Sequence, residues 1–318
     1  MSDVSVIMYH YVREIKNSSF PGIKGLETKA FRKQILYLKK YYQFVTTEEV
    51  IDSVYNNKKL PSNAVLLTFD DGYIDHYTNV FPILMEFGIQ GSFYIPAKMI
   101  KEHKVLDVNK IHFILASVPD KNEIIKDLKL LLLEYKERDN LQSFEYYYRK
   151  LAVKSRFDSA EVIFIKRLLQ VELIENVRVR IADSLFNKYL KVSESDFAKE
   201  LYLNKTQIKE MLDNGMHIGC HGYNHNWWNK MEPKELEKDI DLSLDFLKEL
   251  GVNLSNWTAS YPYGSYSKSV MQLLKQKKCR LAFTTEVGIA KTIFKKKLLL
   301  KRLDTNDITK DQNDLVDY

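Results

Sequence analysis

The stretch that most constrains the fold is residues 64–73, which read Ala-Val-Leu-Leu-Thr-Phe-Asp-Asp-Gly-Tyr. Its apolar first half follows Pro61 and predicts a short strand buried on both faces, as in a parallel α/β sheet. Two neighbouring carboxylates, Asp70 and Asp71, stand where that strand ends. Burying ionised carboxylates side by side is costly unless a cation or strong hydrogen-bond donors compensate. A metal ion is therefore the first partner to consider.

A pair of histidines elsewhere in the chain bears on this interpretation. Taken alone, Asp-Asp-Gly favours the interpretation as an ordinary turn. However, His221 and His225 follow a second apolar strand predicted over residues 216–220. Their spacing of four would point both rings the same way on one helical turn. Two imidazoles and a carboxylate fit a catalytic metal site with three protein ligands and one open position.

Length and composition indicate a globular protein with one large domain, with or without a sizeable insertion. The chain has 318 residues, of which 45% are hydrophobic and 28% charged. The net charge is +6, and Lys and Glu residues are interspersed through most of the chain. No basic stripe interleaved with aromatic residues is visible, so nucleic-acid binding is not expected. An anionic partner, such as a membrane-bound glycan carrier, stays open.

Two sequence features predict a cytoplasmic location. The two cysteines, Cys220 and Cys279, cannot build a disulfide framework and suit a reducing compartment. The first residues lack a basic region followed by a long apolar one, and no run approaches 18 apolar residues. Neither a signal peptide nor a transmembrane segment is therefore predicted.

Strand and helix patterns alternate along most of the chain and predict an α/β fold. About seven strands are expected, which favours a (β/α) barrel over an open sheet. They are expected over residues 4–9, 64–69, 91–96, 216–220, 280–285 and 298–303, with one further strand and its turn within residues 257–264. Residues 103–203 carry helical patterns without a strand signal, which predicts a helical insertion between barrel segments 1–102 and 204–318.

The candidate catalytic and metal-binding residues fall just after predicted strands. In a barrel of this kind the carboxyl ends of the strands share one face, where active sites lie. The candidates on that face are His10, Asp70, Asp71, His221, His225 and Tyr263. His217 lies before its motif and is left out of the metal ligands, and His76, His103 and His112 are interpreted as surface or packing residues.

Three motifs in order carry a family resemblance. They are Thr68-Phe69-Asp70-Asp71-Gly72, His221-Gly222-Tyr223-Asn224-His225 and Tyr261-Pro262-Tyr263-Gly264. Together they resemble the first three motifs of the NodB-homology polysaccharide deacetylases, the fourth carbohydrate esterase family. The similarity covers about residues 1–100 and 205–305. It implies a distorted (β/α) barrel and a divalent-metal-dependent hydrolase that removes N-acetyl groups from amino sugars.

The resemblance also implies roles for individual residues. Asp71, His221 and His225 would bind the metal, and Asp70 would be the general base. The backbone N–H of Tyr263 would stabilise the oxyanion together with the metal. Zinc is the default ion for this ligand set, although cobalt or nickel would fit.

The chain departs from the family pattern at the general acid. Family members usually carry a histidine for this step on a late strand, yet no histidine follows His225. Members with a permuted strand order, including biofilm poly-N-acetylglucosamine deacetylases, place it first, in a Tyr-His motif. Residues 6–12 resemble that strand. We therefore hypothesise that His10 is the general acid, and the alternative is a structural histidine at a strand end.

A second departure concerns the arginine that orients the base. Ser260 stands where the family often has this arginine. Arg302, on the predicted last strand, could supply the charge or could lie on the surface. Trp227 and Trp228 could line a sugar or acyl pocket, or at least one of them could belong to the core.

Two other classes of function are compatible with parts of the pattern. Two histidines and a carboxylate also describe the facial triad of iron(II) oxygenases, but those sites need no second carboxylate. A non-catalytic glycan-binding relative would explain Ser260, but it would not need Asp70. The sequence therefore favours a deacetylase acting on an N-acetylated amino sugar in a surface polysaccharide or its precursor.

Overall fold

The computed structural model describes residues 2–155 and 158–308. Contacts within the chain divide it into two compact units. The first unit holds residues 2–14, 25–103 and 199–308, and the described part of 15–24 and 104–198 forms the second. Residues 15–24 therefore group with the later segment and not with the strand that precedes them.

The strands of the described residues all belong to one sheet. Short strands joined by helices are what the alternation of buried apolar runs and amphipathic segments predicts. In chain order they are β1 (Asp3–Tyr9), β2 (Gln43–Phe44), β3 (Ala64–Asp70), β4 (Gly91–Ile95), β5 (His217–Cys220), β6 (Ala259–Ser260), β7 (Ala282–Val287), β8 (Ala290–Lys291) and β9 (Leu300–Asp304).

Seven of these strands close into a barrel. The order around it is β1, β3, β4, β5, β6, β7 and β9, and every neighbouring pair is parallel. This confirms the predicted (β/α) barrel of about seven strands. Two short strands lie outside the ring, with β2 parallel to β3 and β8 antiparallel to β1. Within residues 257–264, for which a strand and a turn are predicted, the strand is two residues long and Pro262 and a left-handed Tyr263 form the turn.

Helices connect the barrel strands, and a second group of helices lies mostly in the other unit. Around the barrel lie α1 (Thr28–Tyr41), α2 (Thr47–Asn56), α3 (Phe81–Phe87), α4 (Ala97–Glu102), α11 (Lys205–Asp213), α12 (Pro233–Glu249) and α13 (Lys268–Gln276). A π-helical turn, His76–Val80, precedes α3. Between α4 and α11 lie α5 (Asp107–Ser117), α6 (Lys121–Tyr135), α7 (Phe144–Leu151), α8 (Ala160–Arg167), α9 (Glu175–Leu190) and α10 (Glu194–Leu201).

The second unit has its own buried interior. Leu128 of α6 and Ile181 of α9 are fully buried. Lys110 of α5 is also buried, and its ammonium group pairs with Asp183 and, at 2.8 Å, with Glu194. A buried ammonium is tolerated because these carboxylates compensate its lost hydration.

Within the described residues, every helix is too short or too polar to cross a lipid bilayer.

Strand β3 contributes to the core with one face and to the barrel mouth with the other. Successive side chains of a strand point in opposite directions. Phe69 stacks on Tyr9 and Phe93 with ring centroids 5.0 and 4.8 Å apart, and Phe31 of α1 meets it edge-on at 5.9 Å. Asp70 therefore points to the opposite side, into the barrel.

We expect Phe69→Ala to lower the free energy of unfolding by about 3–5 kcal/mol, because it leaves a cavity in this aromatic layer. Denaturant titration of the wild-type and variant proteins measures the loss. Phe294→Ala is the matched control, since that ring is 54% exposed and its removal should cost about 1 kcal/mol or less. Equal losses for the two variants would contradict the assigned role of Phe69.

Candidate active site

An aspartate and two histidines converge at the carboxyl end of the barrel. Oδ1 of Asp71 lies 3.4 Å from Nε2 of His221 and 3.3 Å from Nε2 of His225. All three side chains are buried, and Oδ1 has no hydrogen-bond partner among the described residues. A buried oxygen without a donor, facing two imidazole nitrogens, fits a divalent cation. Among residues 2–155 and 158–308, this is the one group of acidic, histidine or cysteine side chains with such geometry.

The turn after β3 explains how Asp71 reaches this position. Asp71 and Gly72 both have left-handed backbones, with φ of 75° and 65°. A Cβ atom at Gly72 would lie only 3.0 Å from Cγ2 of Ile95, so glycine is required there for space as well as for conformation. The Asp-Asp-Gly motif is thus a turn, which is one of the two interpretations of the sequence. This turn also presents a carboxylate to the histidines.

The predicted helical turn for the histidine pair is wrong. Residues 221–227 form a loop in which Gly222 and His225 have left-handed backbones, with φ of 75° and 57°. The two rings nevertheless come together, with centroids 4.7 Å apart. The loop, and not a helix, therefore places both Nε2 atoms beside Asp71.

Asp239 of α12 holds the histidine loop in shape. Its carboxylate is buried and accepts hydrogen bonds from the backbone N–H groups of Tyr223 and Asn224 at 3.0 and 2.9 Å. It also accepts one from Nε1 of Trp228 at 3.0 Å. These bonds satisfy backbone donors of the loop that would otherwise lack partners. The sequence carries no local signal for this contact, because α12 follows the loop at a distance.

The second carboxylate, Asp70, is paired with Arg302. Nη2 of Arg302 lies 2.8 Å from Oδ2 of Asp70, and Nη1 donates to Oδ1 at 3.0 Å. Ser260 also donates to Oδ2 at 3.0 Å. Both partners of the ion pair are almost completely buried. Arg302 is therefore no surface residue, and it supplies from β9 the positive charge that Ser260 lacks.

Charge balance in the site outweighs burial at both carboxylates. Burial alone would raise the pKa of Asp70, but Arg302 and then His221 lower it to about 2. The imidazoles likewise hold the pKa of Asp71 below its usual range against the effect of burial. Burial lowers the pKa of His225 to about 3, so this ring is neutral and its nitrogen lone pair can bind a cation.

His10 lies next to these groups at the end of β1. It is half-buried, and its charge acts on the pKa of Asp70, Asp71 and His225. Its backbone carbonyl accepts a hydrogen bond from Nε2 of His76 at 2.9 Å. His76 is fully buried, and burial lowers its pKa to about 4. His76 is thus a packing residue, as expected, and it also anchors the backbone of His10.

Tyr263 and Trp227 form an aromatic wall beside the histidines. The Tyr263 ring lies 4.6 Å from the ring of His225 and stacks on Trp227 at 4.5 Å with an interplanar angle of 3°. Trp228, by contrast, is completely buried and packs edge-on against Tyr261. Of the two tryptophans, Trp227 is therefore at the site and Trp228 belongs to the core.

His217 and both cysteines lie outside this cluster. His217 is the first residue of β5 and so lies at the end of the strand away from the histidine loop. Its Nδ1 is hydrogen-bonded to Glu48 at 3.0 Å and its Nε2 to Thr258 at 2.8 Å. Cys220 and Cys279 are free and buried. Burial raises the pKa of Cys220 to about 12, which makes it an inert core residue.

Comparison with known proteins shows similarity to deacetylases. The poly-β-1,6-N-acetyl-D-glucosamine N-deacetylase of Escherichia coli K12 is 40% identical over 83 residues, which is 26% of this chain. That match spans only 12% of the length of the E. coli protein.

Solved structures share the fold over nearly the whole chain. The Streptococcus pyogenes deacetylase PplD, solved in complex with acetate, has a TM-score of 0.60 at 18% identity and covers 95% of this chain and 92% of its own. IcaB from Ammonifex degensii has a TM-score of 0.56 at 18% identity, with 96% and 94% covered. At this level of identity the likeness establishes the barrel fold.

The family assignment comes from a match between this sequence and a model of a protein family. The polysaccharide deacetylase family model matches residues 57–128 and 184–282, more than half of the chain. The two matched stretches contain the Asp-Asp turn, the histidine loop and Tyr263, and so agree with the resemblance inferred from the motifs. The chain therefore belongs to the polysaccharide deacetylase family.

Proposed function

We propose that this protein is a divalent-metal-dependent deacetylase that hydrolyses the N-acetyl group of an amino sugar in a polysaccharide or its precursor. The observation that carries the proposal is that two adjacent carboxylates, Asp70 and Asp71, have different surroundings. Oδ1 of Asp71 faces two imidazole nitrogens at 3.3–3.4 Å, while Asp70 beside it is held by Arg302. Amide hydrolysis needs both a cation site and a separate base.

The metal ligands in this proposal are Asp71, His221 and His225. A divalent ion bound there would polarise the amide carbonyl and make a neighbouring water molecule more acidic. Zinc is the default for two imidazoles and a carboxylate, and cobalt or nickel also fits. Support comes from the buried, unpartnered oxygen of Asp71 and from the hydrogen bond that Nδ1 of His221 donates to the carbonyl of Ser260 at 2.8 Å.

Asp70 acts as the general base. Its pKa of about 2 keeps it ionised, and its place next to Asp71 puts it within the catalytic cluster. A carboxylate of such low pKa is a weak base, so its contribution comes from position more than from basicity. The Arg302 fork and the Ser260 hydroxyl restrict its orientation.

His10 and Tyr263 complete the proposed chemistry. His10 donates a proton to the leaving amine, for which its half-buried position near Asp70 and Asp71 is suited. The backbone N–H of Tyr263 stabilises the oxyanion as the carbonyl is attacked. The left-handed backbone of Tyr263, with φ of 57°, and its ring contact with His225 support this role.

The proposed substrate is an N-acetylated amino sugar. The stacked Trp227–Tyr263 pair supports this class, because an aromatic face packs against the apolar face of a sugar ring. The related E. coli protein is named a poly-β-1,6-N-acetyl-D-glucosamine N-deacetylase.

Three expectations from the sequence stay predictions. The first is the division into a barrel of residues 1–102 and 204–318 with a helical insertion over residues 103–203. The others are contact of that insertion with a glycan carrier and a cytoplasmic location.

The two rival classes are less well supported. The Arg302–Asp70 pair removes one reason for a non-catalytic glycan-binding relative, namely the arginine missing at Ser260. An iron oxygenase would leave the buried and restrained Asp70 without a task.

We expect Asp70→Asn to reduce acetate release by at least about 10²-fold, because the amide cannot accept the proton. The assay measures acetate from N-acetylglucosamine oligomers and, in parallel, the metal content of the protein. Asp213→Asn, an exposed aspartate of α11, is the matched control and should retain full activity. A D70N enzyme that works at the wild-type rate would exclude Asp70 as the base.

His10→Ala should lower kcat by about 10²-fold while metal binding persists, since the leaving amine loses its acid. His103→Ala, at an exposed position, controls for the loss of an imidazole. Steady-state kinetics with metal analysis measures both effects. Unchanged turnover in H10A would assign His10 a structural role.

Arg302→Lys should lower kcat, and Arg302→Met should lower it further, with KM nearly constant in both variants. Lysine keeps a charge but loses the two-pronged contact with Asp70, and methionine loses both. Removing one partner of a buried pair should also lower the free energy of unfolding of R302M by about 3–5 kcal/mol. Lys301→Met, at the neighbouring half-exposed position, should change neither quantity. A folded R302M enzyme with wild-type kcat would contradict the role of Arg302.

A further inference from the structure

The two oxygens of Asp71 have different surroundings. Oδ2 accepts a hydrogen bond from the hydroxyl of Tyr73 at 2.6 Å. Oδ1 faces the Nε2 atoms of His221 and His225 and has no hydrogen-bond partner within the described parts of the chain. A short bond from a neutral donor to a carboxylate is among the stronger hydrogen bonds in proteins. One oxygen is therefore committed to Tyr73, and the other is left for the cation.

The backbone turn sets the bond between Tyr73 and Asp71. The left-handed conformations of Asp71 and Gly72 fold the chain back, so that the side chain two residues later reaches the carboxylate. The turn is itself anchored, since the N–H of Leu203 donates to the carbonyl of Gly72 at 2.9 Å. The hydroxyl of Tyr73 is thus placed by fixed backbone and not by a flexible side chain alone.

Packing prevents the Tyr73 ring from leaving this position. The ring is 1% exposed and stacks on Tyr11 with centroids 4.1 Å apart. It meets the ring of His76 edge-on at 5.6 Å and lies parallel to Tyr202 at 6.0 Å.

Tyr11 also touches the hydroxyl of Tyr73. The two side chains share a hydrogen bond. Because Tyr73 has a single hydroxyl hydrogen and gives it to Asp71, Tyr11 is the donor in that bond. A chain of two phenols therefore ends on Oδ2 of Asp71, next to the histidine loop.

We propose that Tyr73 is a positioning residue for the metal centre: its hydroxyl holds Oδ2 of Asp71 so that Oδ1 alone points to the ion. This inference rests on the proposed metal-dependent function. Partners that hydrogen-bond metal ligands typically change metal affinity by about 10–100-fold when they are removed. Without the phenol, the carboxylate of Asp71 is free to rotate, so that Oδ2 can turn towards the ion or towards water. The ligand geometry is then no longer fixed.

Metal affinity and ligand geometry test this role directly. Dissociation constants for Zn²⁺ and Co²⁺ are measured on the full chain by competition with a chromophoric chelator. The visible absorption spectrum of the Co²⁺ form reports the coordination geometry. We expect Tyr73→Phe to weaken both ions by about 10–100-fold and to alter the Co²⁺ spectrum.

Two further variants separate the hydrogen bond from ring packing. Tyr202→Phe is the matched control, because its ring packs on Tyr73 whereas Oδ2 of Asp71 accepts its hydrogen bond from Tyr73, and it should leave both readouts unchanged. Tyr11→Phe removes only the outer phenol of the chain and should weaken binding less than Tyr73→Phe does.

The outcomes distinguish this inference from the proposed function. Wild-type protein that binds neither ion would overturn the metal centre and the role of Tyr73 with it. Wild-type binding together with unchanged affinity and spectrum in Y73F would overturn the role of Tyr73 alone. Circular dichroism checks each variant, and an unfolded Y73F chain would assign Tyr73 to the folding core and equally overturn its positioning role.

Discussion

The structure depends on how two adjacent buried carboxylates are compensated at the end of β3. Charged groups in the protein interior lose their hydration and need partners of opposite charge or strong donors. Asp70 obtains an arginine and a serine hydroxyl, whereas Asp71 obtains two imidazoles and a phenol. The two environments separate the chemistry of neighbours in sequence, since one carboxylate is satisfied within the protein and the other keeps an oxygen open to a cation.

The closed parallel barrel makes this arrangement possible. All seven strands of the ring run the same way, so their carboxyl ends meet at one mouth. His10, Asp70 and Arg302 are far apart in the chain but adjacent there, because β3 and β9 both pair with β1. The same alternation that sends Phe69 into the aromatic layer sends Asp70 into the barrel, so the strand that supports the core also presents Asp70 to the candidate site.

Most of the barrel and the identity of the candidate ligands could be predicted, because their signals are local. Apolar runs followed by Asp, His or Tyr mark strand ends whatever the rest of the chain does. The conformation of residues 221–227 could not be predicted, since it depends on hydrogen bonds that the loop donates to the carboxylate of Asp239 in a later helix. For Arg302 the sequence left two interpretations equal, and the ion pair with Asp70 decided between them.

The sequence by itself identified the candidate residues of the site, and it predicted that strands alternating with helices would bring them to one face. These properties follow from residue type and periodicity, which each segment carries alone. Only the tertiary structure decided which donor meets which oxygen: Arg302 on Asp70, Tyr73 on one oxygen of Asp71, and Trp227 rather than Trp228 beside Tyr263. Such pairings depend on barrel closure and on left-handed turns at single residues, and sequence spacing does not encode the distances that these produce.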